Sequence, residues 1–208
     1  MMRLLLYLTN FGDPYVTAPL AVIVVVWLGT TRSWRLLLTW VACFSAGVFV
    51  VAACRFAHRG WGMQLSALHI TMVSGHTMLA SAVYPTIFVI CGSHATRRTT
   101  ARAFLFGLAV ALAIGVSRRL IGFHSTAEVA TGWLIGSLIA GMTCWPLMAT
   151  RSSEPHTTLR RYDPTPFAAI ALALIVVCHG KIAPVSIWID RTAPELSEWT
   201  KAQADEMH

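Results

Sequence analysis

Hydrophobic and polar positions alternate along this chain in blocks too long for surface helices and too apolar for water. Six apolar runs stand out: Tyr15–Gly29, Leu36–Cys54, His76–Gly92, Arg102–Val116, Glu128–Ala149 and Pro166–Gly180. A helix crossing a bilayer needs about 17–25 such residues, so the first, fourth and sixth must borrow from their flanks. The β-branched run Val22–Val26 does not argue for a strand, because only helices and closed barrels satisfy their backbones in lipid. The pattern predicts an all-α polytopic membrane protein, a six-transmembrane-helix bundle. Ahead of it, residues 3–11 predict a short interfacial helix stopped by Gly12 and Pro14. Their apolar stretch of about five residues falls short of the roughly 7–15 of a signal-peptide core. The chain thus divides into an N-terminal interfacial segment (1–14), a six-helix membrane domain (15–182) and an extramembrane C-terminal tail (183–208). The tail mixes charges at Asp190, Arg191, Glu195, Glu198 and Lys201.

Composition agrees with this division. Of 208 residues 56% are hydrophobic and 12% charged, against about 25% charged in soluble domains. The net charge of +7 does not indicate nucleic acid, because the basic residues are dispersed. They cluster between the apolar runs, as Arg32 with Arg35, Arg97 and Arg98 with Arg102, and Arg151 with Arg160 and Arg161. These clusters fall in alternate connections and so on one face, which the positive-inside rule makes cytoplasmic. Both termini and the second–third and fourth–fifth loops then face outward. The five cysteines (Cys43, Cys54, Cys91, Cys144, Cys178) lie in or beside the spans with no CxxC spacing, the pattern of packing residues rather than disulfides or zinc. The tryptophans suit interfacial belts, and Gly132, Gly136 and Gly141 suit close helix packing.

The outward loops hold every candidate for chemistry: Arg55, Ser74-Gly75-His76, Ser117-Arg118 and His124, with Glu128 opening the next run. Glu128 is the only acidic residue between Asp13 and Glu154. A charge at mid-span costs about 2.5–3.5 kcal/mol on insertion scales, so a lone carboxylate there suggests a task. Four residues after His124, it shares one helical face with the imidazole. No Cys/His/Asp cluster has metal-ligand spacing. The set suits anion binding: arginine forks match phosphate oxygens, and Ser74-Gly75 opens a helix whose N-terminal N–H groups are free. One imidazole can attack phosphorus while the other serves the leaving group. Blander roles remain open beside these. Ser125-x-x-Glu128 fits a capping box, Ser74 an N-cap and Arg55 a snorkelling side chain. His58 and His69 read as interfacial, and His94, His156, His179 and His208 as span-end or tail residues without partners.

These motifs resemble the membrane type-2 phosphatidic acid phosphatase (PAP2) superfamily, whose blocks are K-x6-R-P, P-S-G-H and S-R-x5-H-x3-D. Val73-Ser74-Gly75-His76 is similar to the second block, and Ser117-Arg118, His124 and Glu128 keep the third block's spacing. The resemblance implies a six-helix bundle with an outward site and no metal or other cofactor. It implies His124 as nucleophile, His76 as acid for the leaving oxygen, and Arg118 with Ser74 and Gly75 as phosphate ligands. Val73 replaces proline and Glu128 replaces aspartate. Arg55 stands for the first block's lysine, but Gly62-Met63 occupies the place of Arg-Pro, which leaves Arg59 or Arg119 to supply the missing ligand. The implied function is hydrolysis of a lipid phosphate or pyrophosphate through a phosphohistidine. A phosphoryl transferase using the same site, or a non-enzymatic lipid-phosphate binder or transporter, are the rivals. Undecaprenyl pyrophosphate, phosphatidic acid, phosphatidylglycerol phosphate and a lipid A phosphate fit alike. The expected place is a bacterial inner (plasma) membrane, with the site toward the periplasm or exterior.

Overall fold

A computed structural model describes residues 1–63, 72–149 and 162–206. His69, His156, His208, Arg151, Arg160 and Arg161 lie outside the described residues. The described chain forms α1 (Met2–Asn10), α2 (Pro14–Thr30), α3 (Trp34–Trp61), α4 (Gly75–Cys91), α5 (Arg97–Leu120), α6 (Thr126–Ala149), α7 (Thr165–Cys178) and α8 (Val185–Glu206). Four stretches are long and apolar enough to cross a membrane: Met2–Thr30, Trp34–Trp61, Arg97–Leu120 and Thr126–Ala149. Helices α4 and α7 are apolar but shorter, at 17 and 14 residues. All six apolar runs are helical. Helix α3 continues beyond Cys54 to Trp61, where Gly62 adopts a left-handed cap at φ 66°, a conformation suited to glycine. The short N-terminal helix is present and the turn at Phe11–Asp13 ends it.

Helix α4 is the axis of the bundle and packs most broadly against α6 and α5. Small residues make those contacts possible. A Cβ at Gly132 would lie 2.6 Å from the Ser74 carbonyl oxygen, and one at Gly136 would collide with the Ser81 side chain and the Met78 carbonyl. Gly141 has nothing within 4 Å, contrary to the packing role expected of it. Five residues beyond Gly136 is about 140° around a helix, so it leaves the face that Gly132 and Gly136 share. Helix α2 buries Val16, Leu20, Val24 and Leu28 at four-residue steps, while Val22 and Val26 point outward. Trp40 is another departure: it is core, fully enclosed and stacked on Phe44 at 4.9 Å.

The C-terminal segment is helical over Val185–Glu206 and packs on the bundle. Helix α8 lies along α3, with Ile189, Ala193 and Ser197 buried on one stripe. Gly60 permits the approach, since a Cβ there would come within 2.9 Å of the Ala193 carbonyl oxygen.

Candidate active site

Helix ends meet at one pole of the bundle, and Glu128 organises them. Its Oε2 accepts the Ser125 N–H at 3.0 Å, and the Ser125 hydroxyl accepts the Glu128 N–H at 3.2 Å. This is the capping box expected of the sequence. The same Oε2 lies 2.9 Å from His124 Nδ1, so the cap and the His124–Glu128 pair are one arrangement. The carboxylate fixes the proton on Nδ1 and leaves the lone pair on Nε2. Its other oxygen, Oε1, accepts the Met72 N–H at 3.2 Å, and the Glu128 carbonyl accepts the Ser74 N–H, also at 3.2 Å. The start of α6 thereby holds Ser74-Gly75-His76 at the opening of α4. Ser74 is fully buried and bonds Thr77 Oγ1 at 2.9 Å instead of capping the backbone with its side chain.

His124 stands in the α5–α6 connection and is largely buried. Burial pushes its pKa below the ordinary 6.5, the Glu128 hydrogen bond opposes this, and the Arg118 charge reinforces it. The ring is therefore neutral at neutral pH. Arg118 ends α5 with its guanidinium 4.6 Å over the Phe123 ring. Its Nε is buried and has no hydrogen-bond partner among the described residues. A buried donor without a partner costs about 1–3 kcal/mol, so its orientation fits an anion binder. The charge of Arg118 acts on both His124 and His76, which puts all three within electrostatic reach.

Two further carboxylates enter that sequence reasoning missed. Asp13 Oδ2 lies 3.4 Å from His76 Nε2, and Asp190 on α8 binds Arg55. Arg55 Nη2 reaches both Asp190 oxygens at 3.1 and 3.0 Å, and Arg59 Nε reaches Oδ1 at 3.1 Å. Arg55 still acts electrostatically on His76 and Arg118. Arg119 donates from Nε to Thr126 Oγ1 at 3.1 Å on the exposed rim, where both line an apolar cleft of about 380 Å³ with Val116, Val129 and Trp133. Asp13 carried only the signature of a helix cap before a proline. Asp190 lay in a mixed-charge stretch with no periodic signal.

His58, His94 and His179 contact backbone carbonyls of Met63, Tyr162 and Tyr7 instead of the site. All five cysteines are free thiols. No cluster of metal-binding side chains occurs among the described residues. The pole can bind an oxyanion beside a neutral imidazole oriented for attack, with a second imidazole nearby.

Residues 54–152 match the profile of the PAP2 superfamily. The chain is also 27% identical over 185 residues to an uncharacterized 22.5 kDa protein in the cps region of Klebsiella pneumoniae, covering 88% of this chain and 87% of that one. No solved structure matches at a significant level. Membership of this family usually means phosphatase-type activity. Residues 54–152, which hold the His124–Glu128 pair, His76 and Arg118, are the part of the chain that is similar to the PAP2 superfamily.

Proposed function

We propose that this protein is an integral membrane phosphatase that hydrolyses a lipid phosphate or pyrophosphate through a phosphohistidine on His124. The observation that carries the reading is the 2.9 Å His124–Glu128 contact beside Arg118, whose buried Nε has no hydrogen-bond partner among the described residues. Arg118 and the N–H groups opening α4 hold the phosphoryl oxygens. His124 Nε2 attacks phosphorus, the N–P bond forms as the bond to the leaving oxygen breaks, and His76 gives that oxygen its proton. Water then attacks phosphorus, its proton passes to His76, and the N–P bond breaks to restore neutral His124. Catalysis here is positioning and charge stabilisation.

The lipid chain stays in the bilayer, so the site sits at the rim of six spans, with the short α4 and α7 completed by their flanks. The arginine-rich pole faces the cytoplasm of a bacterium, and the site faces the periplasm or exterior. The test is phosphate release by purified protein from the four candidate lipids, with chelator present. Wild type releases phosphate from at least one, His124→Ala releases none, and His76→Ala loses about 10²–10⁴-fold. Near wild-type turnover by His124→Ala overturns the nucleophile. Saturable lipid binding by wild type without phosphate release overturns the enzyme.

A further inference from the structure

Resting on the reading of His76 as the proton donor, we propose that Asp13 is its positioning residue. Among the described residues two carboxylates are buried, Asp13 and Glu128, and each faces one of the two site histidines. A buried carboxylate is costly unless it is paired and hydrogen-bonded, and Asp13 is held on every side. Its Oδ1 accepts the Tyr15 N–H at 2.8 Å, which caps α2, and the Ala183 N–H at 3.0 Å, which ties in the α7–α8 connection. With Oδ1 so occupied, Oδ2 is turned to His76 Nε2 at 3.4 Å. Catalytic contacts of this length are common before substrate binds.

The turn that carries Asp13 is shaped for this approach. A Cβ at Gly12 would sit 3.0 Å from the His76 carbonyl oxygen, 3.1 Å from its Cβ and 2.8 Å from Ile114 Cγ2. Only a residue without a side chain lets the backbone rest there. The buried Tyr84 hydroxyl, on the same helix as His76, donates to the Phe11 carbonyl at 2.7 Å and pins the turn from its other side. A helix cap alone would need neither arrangement.

The groups facing His76 are Asp13 from the start of α2, Arg118 from α5, Arg55 from α3 and His124 from the α5–α6 connection. Asp13 is the sole anion among them. It balances the charge His76 carries while holding a proton, and it engages Nε2, so the proton for the leaving oxygen resides on Nδ1. Glu128 does the converse for His124, engaging Nδ1 and leaving Nε2 to attack.

The test compares Asp13→Asn with wild type on two forms of the lipid phosphate that wild type hydrolyses. One is the natural ester and the other has its bridging oxygen replaced by sulfur. A thiolate leaves without a proton, so loss of the acid's partner spares it. Asparagine keeps the Oδ1 acceptor for Tyr15 and Ala183 and removes the charge. Both are read as first-turnover release of the leaving group, ahead of the water step in which His76 acts as base. There we expect the oxygen ester to slow by about 10–100-fold and the sulfur ester by less than about threefold, with His76→Ala showing the same selectivity. Because both rates come from one preparation, their ratio is independent of the folded fraction. Equal losses on both esters, or no loss on either, overturn the assignment of Asp13 while leaving the phosphatase reading intact. A wild type inactive on every lipid phosphate removes that reading and this one together.

Discussion

Glu128 shows why a spacing of four residues was so legible and a spacing of sixty was not. Cap, imidazole and carboxylate lie within one helical turn, so the capping box and the His124 contact follow from local geometry. The pairing of Asp13 with His76, and of Asp190 with Arg55, depends on how distant helices pack, and no periodicity encodes it. On the proposed mechanism, the local pair sets the pH response. Only neutral His124 has a lone pair for attack, and its pKa lies below 6.5 because of burial, against the Glu128 hydrogen bond. Activity therefore persists as pH falls past 6.5 and is lost only through the lower value. Glu128→Gln removes a contribution that raises this pKa, so the acid limb of kcat/KM moves further down. The rate above the limb falls about 10–150-fold, the equivalent of one charged hydrogen bond of about 1.5–3 kcal/mol. A pH–rate profile whose acid limb moves upward in Glu128→Gln would contradict this assignment.

Helices were legible wherever apolar residues ran without interruption and illegible where their faces differ. Counting apolar residues stops α3 at Cys54, but the helix continues through Arg55 and Arg59, which ion-pair with Asp190. Helix α8 was hidden because its buried stripe, Ile189, Ala193 and Ser197, is small and partly polar, while Val185, Trp188, Leu196 and Trp199 remain exposed. The glycines of α6 separate sequence expectation from structure most cleanly. Gly136→Ala thrusts a methyl into Ser81 and the Met78 carbonyl at the α4–α6 contact, and overpacking of this kind costs about 1–3 kcal/mol. Gly141→Ala meets open space and gains helix propensity of up to about 1 kcal/mol. Thermal unfolding in detergent should show the first variant melting below wild type and the second at or above it. Equal melting temperatures would mean that α4 and α6 are not in this contact.

At the scale of the whole molecule, the two poles differ in how their charges are used. At the site pole, Arg55 and Arg59 share Asp190, and Arg118 belongs to the pocket with Asp13 and His76 in its field. At the other pole, Arg32, Arg35, Arg97, Arg98 and Arg102 take part in no ion pair among the described residues. A plain count of basic residues between helices therefore understates the asymmetry. The cations of the site pole are largely engaged by carboxylates and packing, whereas those five of the other pole have no carboxylate partner among the described residues. Free charge is what resists translocation and pairs with anionic lipid, so the arginine pole should be retained in the cytoplasm. An alkaline phosphatase reporter, active only outside the cytoplasm, distinguishes the two orientations. Fused at the C-terminus, beyond α8, it should be active; fused after Ala95, ahead of α5, it should be silent. The reverse pattern would turn the site toward the cytoplasm, and the lipid phosphates presented to it would then be those of the inner leaflet.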